Sequence, residues 1–252
     1  MNRQAEWSAG SSENIKMKLV ISDIRKAFDS NEVLRGATYT FEQGRIYGLL
    51  GRNGAGKTTL FNCLNEDLKI DSGGFWLEDE AGNRRAMTSD DIGYVLSTPV
   101  VPEFLTAREF LRFFLDINKG KIAYPQAPDV YLDYMQIEPD SRDRLLKDYS
   151  HGMKNKMQLL IQYIANPPVM LLDEPLTSLD VVASEEMKDL FRRRKAEHIT
   201  ILSTHIMELA LDLCDDIVIL HNGVLAPVDR EQLDDDDYKD KIIAALKEEN
   251  DA

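Results

Sequence analysis

Apolar and polar residues alternate over residues 18–24 and, less regularly, over 33–41, the two-residue period of strands with one buried face. A turn at 29–31 separates the two runs, and Gln43 with Gly44 forms a second tight turn. A short apolar strand from Ile46 to Leu50 then enters a glycine-rich loop, after which 57–64 takes a helical pattern. Gly73 and Gly74 mark a further turn, and 75–85 a small β excursion. From about 99 to 168 the helical period dominates. Thr106 and Glu109 make a capping box, and Phe110, Phe113, Phe114 and Ile117 fall on one face of the helix they open. Residues 130–135 and the pair Leu145 and Leu146 predict short helices, and Met153, Met157, Leu160, Ile161 and Ile164 form a core-facing helical stripe. After Pro167 and Pro168, apolar strands return at 169–172, 200–203 and 217–220, with helices at 181–196 and 206–213 between them. Such alternation predicts a largely parallel sheet with helices on its faces. The acidic run Asp234 to Asp237 precedes a last helix at 242–246, where negative charge suits the helix start.

The layout expected is a polar lead at 1–16, one domain over 17–230 with a helical subdomain at about 95–165, and an acidic tail at 231–252. A chain of 252 residues can bury a substantial core. Its net charge of -14 weighs against a nucleic-acid partner. Cys63 and Cys214 share no metal-type spacing and are expected to be buried, reduced thiols. No run approaches the ~18 apolar residues of a spanning helix, and the lead lacks the apolar run of a signal peptide. A cytoplasmic location is expected.

The string from Gly51 to Thr59 (Gly51, Arg52, Asn53, Gly54, Ala55, Gly56, Lys57, Thr58, Thr59) fits the phosphate-loop pattern, with a strand before it and a helix after it. Glycines let backbone N–H groups close around phosphates, and the helix start adds a positive dipole end. Asn53, Gly54, Ala55 and Gly56 are therefore candidates to cradle ATP. Lys57 is the cation for the β- and γ-phosphates, Thr58 offers a hydroxyl to Mg²⁺, and Thr59 a further phosphate bond. The apolar strand Val169 to Leu172 ends in Asp173 and Glu174, delivering two carboxylates to the sheet edge. Asp173 is the candidate to hold Mg²⁺ through water, and Glu174 to polarise the attacking water.

Three further elements make the chain resemble the ABC ATPases, over roughly residues 17–225: Tyr149, Ser150, His151, Gly152 and Met153, similar to the signature motif; Ser178, Leu179 and Asp180, similar to the D-loop; and His205 directly after a strand, similar to the switch histidine. The resemblance implies an α/β P-loop core with a mostly parallel sheet, an N-terminal antiparallel β subdomain and an inserted helical subdomain. It implies that Ser150 and Gly152 contact the γ-phosphate of ATP on an opposite protomer. It also implies that His205 senses that phosphate, that Asp180 serves communication across the dimer, and that Phe28 stacks on adenine, with a core role for Phe28 the alternative. Homo- or heterodimers of ATPase subunits, separate membrane-spanning permease subunits, a peripheral position on the inner face of the membrane, and export are implied in the same way. One or two exposed rings among Phe104, Phe110, Phe113 and Phe114 are candidates to meet the membrane partner.

Two departures stand out. Ser97 occupies the place where the family carries a glutamine, and serine is too short to reach Mg²⁺ except through water. In the signature, Tyr149, His151 and Met153 replace the usual leucine, glycine and glutamine. The alternatives are a non-transport ABC-family ATPase, or a regulatory nucleotide-binding interaction subunit.

Overall fold

The computed structural model describes residues 16–122, 124–177, 179–232 and 242. The polar lead up to residue 15, Ser178 and almost all of the acidic tail, including all but Ile242 of the final helix expected at 242–246, lie outside the described residues; Ile242 itself is helical and buried.

Among the described residues ten strands form two sheets. β1 (Met17–Phe28), β2 (Asn31–Glu42), β4 (Ser72–Asp79) and β5 (Arg84–Arg85) make an antiparallel sheet in the order β2-β1-β4-β5. β3 (Arg45–Leu50), β6 (Ile92–Val95), β7 (Val169–Asp173), β8 (Ile199–Thr204), β9 (Asp216–His221) and β10 (Val224–Val228) make the second, in the order β10-β9-β3-β8-β7-β6. All neighbours in it run parallel except β9 and the edge strand β10. Among the described residues the α-helices longer than one residue are α1 (Lys57–Leu64), α2 (Ala107–Ile117), α3 (Pro128–Tyr134), α4 (His151–Ala165), α5 (Val181–Arg194) and α6 (Met207–Leu213). This is the α/β class expected.

The parallel sheet is buried on both faces, so its strands are continuously apolar. Successive residues divide between two cores. Tyr47, Leu49, Val169, Leu171, Val218 and Leu220 pack with α1 and the antiparallel sheet. Ile46, Leu50, Met170, Leu172, Ile217 and Ile219 pack with α4, α5, α6 and the helical lobe. Arg108 and Arg142 stitch that lobe together by pairing with Asp129, while Arg108 also meets Asp143 and Arg142 meets Asp133.

Local expectations need revision at four places. Gly73 and Gly74 form no turn but lie inside β4. A Cβ at Gly73 would stand 2.1 Å from the Asp23 carbonyl oxygen, where the irregular register of β1 pushes backbone against backbone. The face of α2 is split: Phe110 is buried, whereas Phe113 is 56% exposed and Ile117 also faces solvent. Leu146 begins a single 3-10 turn. The edge strand β10 has no alternation to mark it, because all five of its residues are apolar although three of them are exposed. Thr106 and Glu109 do form the reciprocal capping box. Cys63 and Cys214 are buried and form no disulfide with each other.

Candidate functional site

The parallel strands bring their C-terminal ends to one edge of the sheet, where open α/β sheets bind ligands. β3 ends at Leu50 and the loop 51–56 turns the chain into α1. Gly54 and Gly56 take φ values of 82° and 101°, which favour glycine. A Cβ at Gly56 would also meet Val33 Cγ1 at 2.8 Å. Lys57 is 6% exposed, and its ammonium donates to the carbonyls of Gly51 (2.6 Å) and Arg52 (3.1 Å), folding the side chain back over the loop. Burial pushes its pKa down, against the opposing pull of Glu174 and Asp173.

Next to β3 runs β8, and next to β8 runs β7, with Ser203 in register with Asp173. The Thr58 hydroxyl donates to Asp173 Oδ2 at 2.9 Å, and the Ser203 hydroxyl donates to Asp173 Oδ1 at 2.5 Å. Asp173 is buried, so both of its oxygens meet a donor. Ser203 Oγ also accepts the Glu174 N–H at 3.0 Å, which holds Glu174 at a left-handed φ of 49°. That kink aims the Glu174 carboxylate away from the strand. Its Oε1 lies 2.9 Å from His205 Nδ1 and 3.9 Å from Lys57 Nζ, and its Oε2 accepts from the Thr177 hydroxyl at 3.1 Å.

A cleft of about 410 Å³ gathers Phe28, Asn53, Gly54, Gly56, Lys57, Thr58, Thr59, Ser97, Asp173 and Glu174. A neighbouring hollow adds Thr98, Thr177 and His205, and also His151. Phe28 closes β1 at 43% exposure with Lys26 Nζ 5.5 Å from its ring centre, so it is a surface ring and not a core one. Ala55 lines a different hollow on the outer side of the loop, and its N–H bonds to the Arg52 carbonyl. Ser150, Gly152 and Asp180 are not among the residues lining the cleft. Ser150 caps α4 by accepting the Met153 N–H, and Asp180 caps α5 by accepting the Ala183 N–H. The two segments touch each other: a Cβ at Gly152 would stand 3.1 Å from Leu179 Cδ2.

The oxygens of Thr58 and Asp173 are the hard donors that Mg²⁺ prefers, and they already meet. Among the described residues no group of three or more His, Cys, Asp and Glu could hold a metal alone. The pair therefore fits an ion that brings most of its other ligands with a phosphate. Ser203 and Thr177 escaped the sequence reading. The signal for Ser203 was there, in the change from apolar residues to Ser203, Thr204 and His205 at the end of the β8 segment.

Residues 34–177 match the family model described as ABC transporter. A probable sulfate/thiosulfate import ATP-binding protein CysA of Chlorella vulgaris is 30% identical over 84% of this chain and 91% of that protein. The uncharacterized ABC transporter ATP-binding protein YxlF of Bacillus subtilis is 29% identical over 82% of this chain and 69% of its own length. Against ATP-binding cassette sub-family A member 9 of Mus musculus, 33% identical, this chain spans only 13% of the relative. Among solved structures, an ATP-binding subunit of an ABC transporter superposes with a TM-score of 0.75 at 25% identity, over 91% of this chain and 99% of that one. A family match over more than half of the chain, and a relative of nearly matching length, agree with the phosphate-loop architecture: the chain belongs to the ABC transporter ATP-binding family.

Proposed function

We propose that this chain binds ATP with Mg²⁺ in the 410 Å³ cleft, hydrolyses it to ADP and phosphate, and drives a separate membrane-spanning partner. The family binds and hydrolyses ATP in general; the residue roles, the metal and the coupling are the proposal. The observation that carries it is the Glu174 carboxylate, held by His205 and Thr177 at the mouth of the phosphate loop and 3.9 Å from Lys57.

In this reading Phe28 stacks on adenine, and the loop amides from Asn53 to Gly56, with Thr59, bind phosphate oxygens. Lys57 exchanges its two loop carbonyls for the β- and γ-phosphates. Thr58 and Asp173 would hold Mg²⁺, which supplies charge neutralisation when bound. Glu174 accepts a proton from water as its oxygen attacks the γ-phosphorus and the bond to ADP breaks. His205 orients Glu174 through the 2.9 Å contact and faces the γ-phosphate.

Ser150, Gly152 and Asp180 are then offered to the ATP of a second ATPase subunit, identical or not. Support comes from their position outside this chain's own cleft and from the exposed Val181 and Val182 beside Asp180. Exposed Phe104, Phe113 and Ile117 on the helical lobe are the proposed contact for the membrane partner. Among the described residues no helix is long and apolar enough to cross a membrane. Export is the proposed direction. It rests on the family resemblance alone, since an import protein stands among the relatives.

The reading is tested by phosphate release from MgATP. Lys57→Ala is expected to lower turnover by about a hundredfold or more, because it removes the cation from the developing phosphate charge. Turnover equal to the native chain's would refute the site.

A further inference from the structure

The loop after β6 reaches the cleft with Ser97 and Thr98. Its base is closed by one side chain from another element. Gln158, on α4 and 4% exposed, donates from Nε2 to the Leu96 carbonyl at 3.1 Å and accepts the Val100 N–H on Oε1 at 2.9 Å. One turn along, Gln162 Nε2 donates to the Tyr94 carbonyl at 3.4 Å. Residues four apart on a helix and two apart on a strand are separated by similar distances, about 6 Å, so the two glutamines lace α4 along the edge strand β6. A Cβ at Gly93 would stand 3.0 Å from Gln162 Oε1 and 2.7 Å from Met170 Sδ, so a larger residue there would displace both side chains.

The two glutamines differ in what they hold. Gln162 meets strand backbone. Gln158 meets both ends of the five-residue segment that carries Ser97, and α4 is the helix whose start bears Ser150 and Gly152. Ser97 and Thr98 share their hollow with Glu174 and His205, at the opposite end from Phe28.

We infer that Gln158 is a positioning residue. Its buried two-point clamp fixes the Ser97 loop beside Glu174 and makes that loop move with the helix beginning at Ser150. Because it acts at the hydrolytic end of the cleft, it governs turnover and leaves nucleotide affinity largely alone.

The inference rests on the ATPase reading, and its test keeps the two apart. kcat and KM for MgATP are measured for the native chain, Gln158→Leu and Gln162→Leu, at temperatures where melting curves show each fully folded. Gln158→Leu is expected to lose about tenfold in kcat with KM within about twofold, while Gln162→Leu stays within about twofold in both. Gln158→Glu, which keeps the acceptor for Val100, should fall between them, and it replaces Gln158→Leu in the comparison if that variant fails to fold. Equal losses in both leucine variants, or undiminished kcat in the Gln158 variants, overturn the clamp. A native chain without turnover overturns the ATPase reading instead. The Val100 amide then decides: it should exchange slowly in the native chain and in Gln162→Leu, and fast in the Gln158 variant, and equal exchange in all three overturns the clamp.

Discussion

Ser203 illustrates how closely one hydroxyl can tie two neighbouring carboxylate residues. It donates to Asp173 Oδ1 and accepts the Glu174 N–H, so it holds both the side chain of the first and the strained backbone of the second. Ser203→Ala leaves a buried carboxylate oxygen short of a donor. The expected cost is about 1–3 kcal/mol in stability, seen as a lower denaturation midpoint. Turnover is expected to fall by about tenfold as Glu174 loses its aim. Full activity with an unchanged midpoint would show that the hydroxyl does neither. Individual residues of this kind are poorly legible in a sequence. Lys57, Thr58, Asp173 and Glu174 stand in motifs whose spacing reflects their chemistry, and the fold does gather them. Ser203 has no motif of its own, and its partner is fixed only by the parallel register of β7 and β8. The basic run Arg192 to Lys195 is likewise divided by context that the sequence does not carry: Arg192 and Arg193 are exposed, whereas Arg194 is buried over the Tyr163 ring, 5.3 Å from its centre.

At the scale of elements, the end of the sheet remote from the cleft has its own chemistry. His198, just before β8, is buried with its Nδ1–H donating to the Pro167 carbonyl at 2.7 Å and its ring 5.7 Å from that of Tyr163. Burial, assisted by the charge of Arg194, pulls its pKa from 6.5 to about 4. Glu197 is the other titratable neighbour, and burial pushes its carboxyl up. A histidine whose pKa is depressed by folding contributes stability that is complete above 6.5 and is lost as pH falls towards 4. Between pH 7 and 5 this amounts to about 2 kcal/mol. His198→Phe should therefore show a flatter fall in stability over that interval than the native chain in denaturant titrations. Parallel curves would mean that His198 does not set the slope. The strands and helices themselves were largely legible, because β7 and β8 are too apolar for any place but a doubly covered sheet, and the Thr106 capping box marks its helix directly. The misreadings at Gly73 and on α2 share one cause. Local pattern does not record what another element places opposite, whether the Asp23 backbone or, at Phe113 and Ile117, solvent.

For the whole molecule, the division of labour within the chain matters most. Lys57, Asp173, Glu174 and His205 converge at one edge of the parallel sheet, whereas Ser150 and Asp180 serve this chain only as helix caps. Under the proposed function Ser150 and Asp180 are offered to a second subunit's ATP, so two copies, or two related subunits, would make the working unit. In the same proposal the exposed rings of Phe104 and Phe113 on the helical lobe are the contact for a further, membrane-spanning partner. The most direct test is Glu174→Gln, which keeps the hydrogen-bonding shape of the side chain and removes the base. In MgATP this variant should bind nucleotide with near-native affinity, release no phosphate, and run as a dimer in size-exclusion light scattering, while the native chain turns over and returns to monomer. Undiminished phosphate release by Glu174→Gln would contradict the account at its centre.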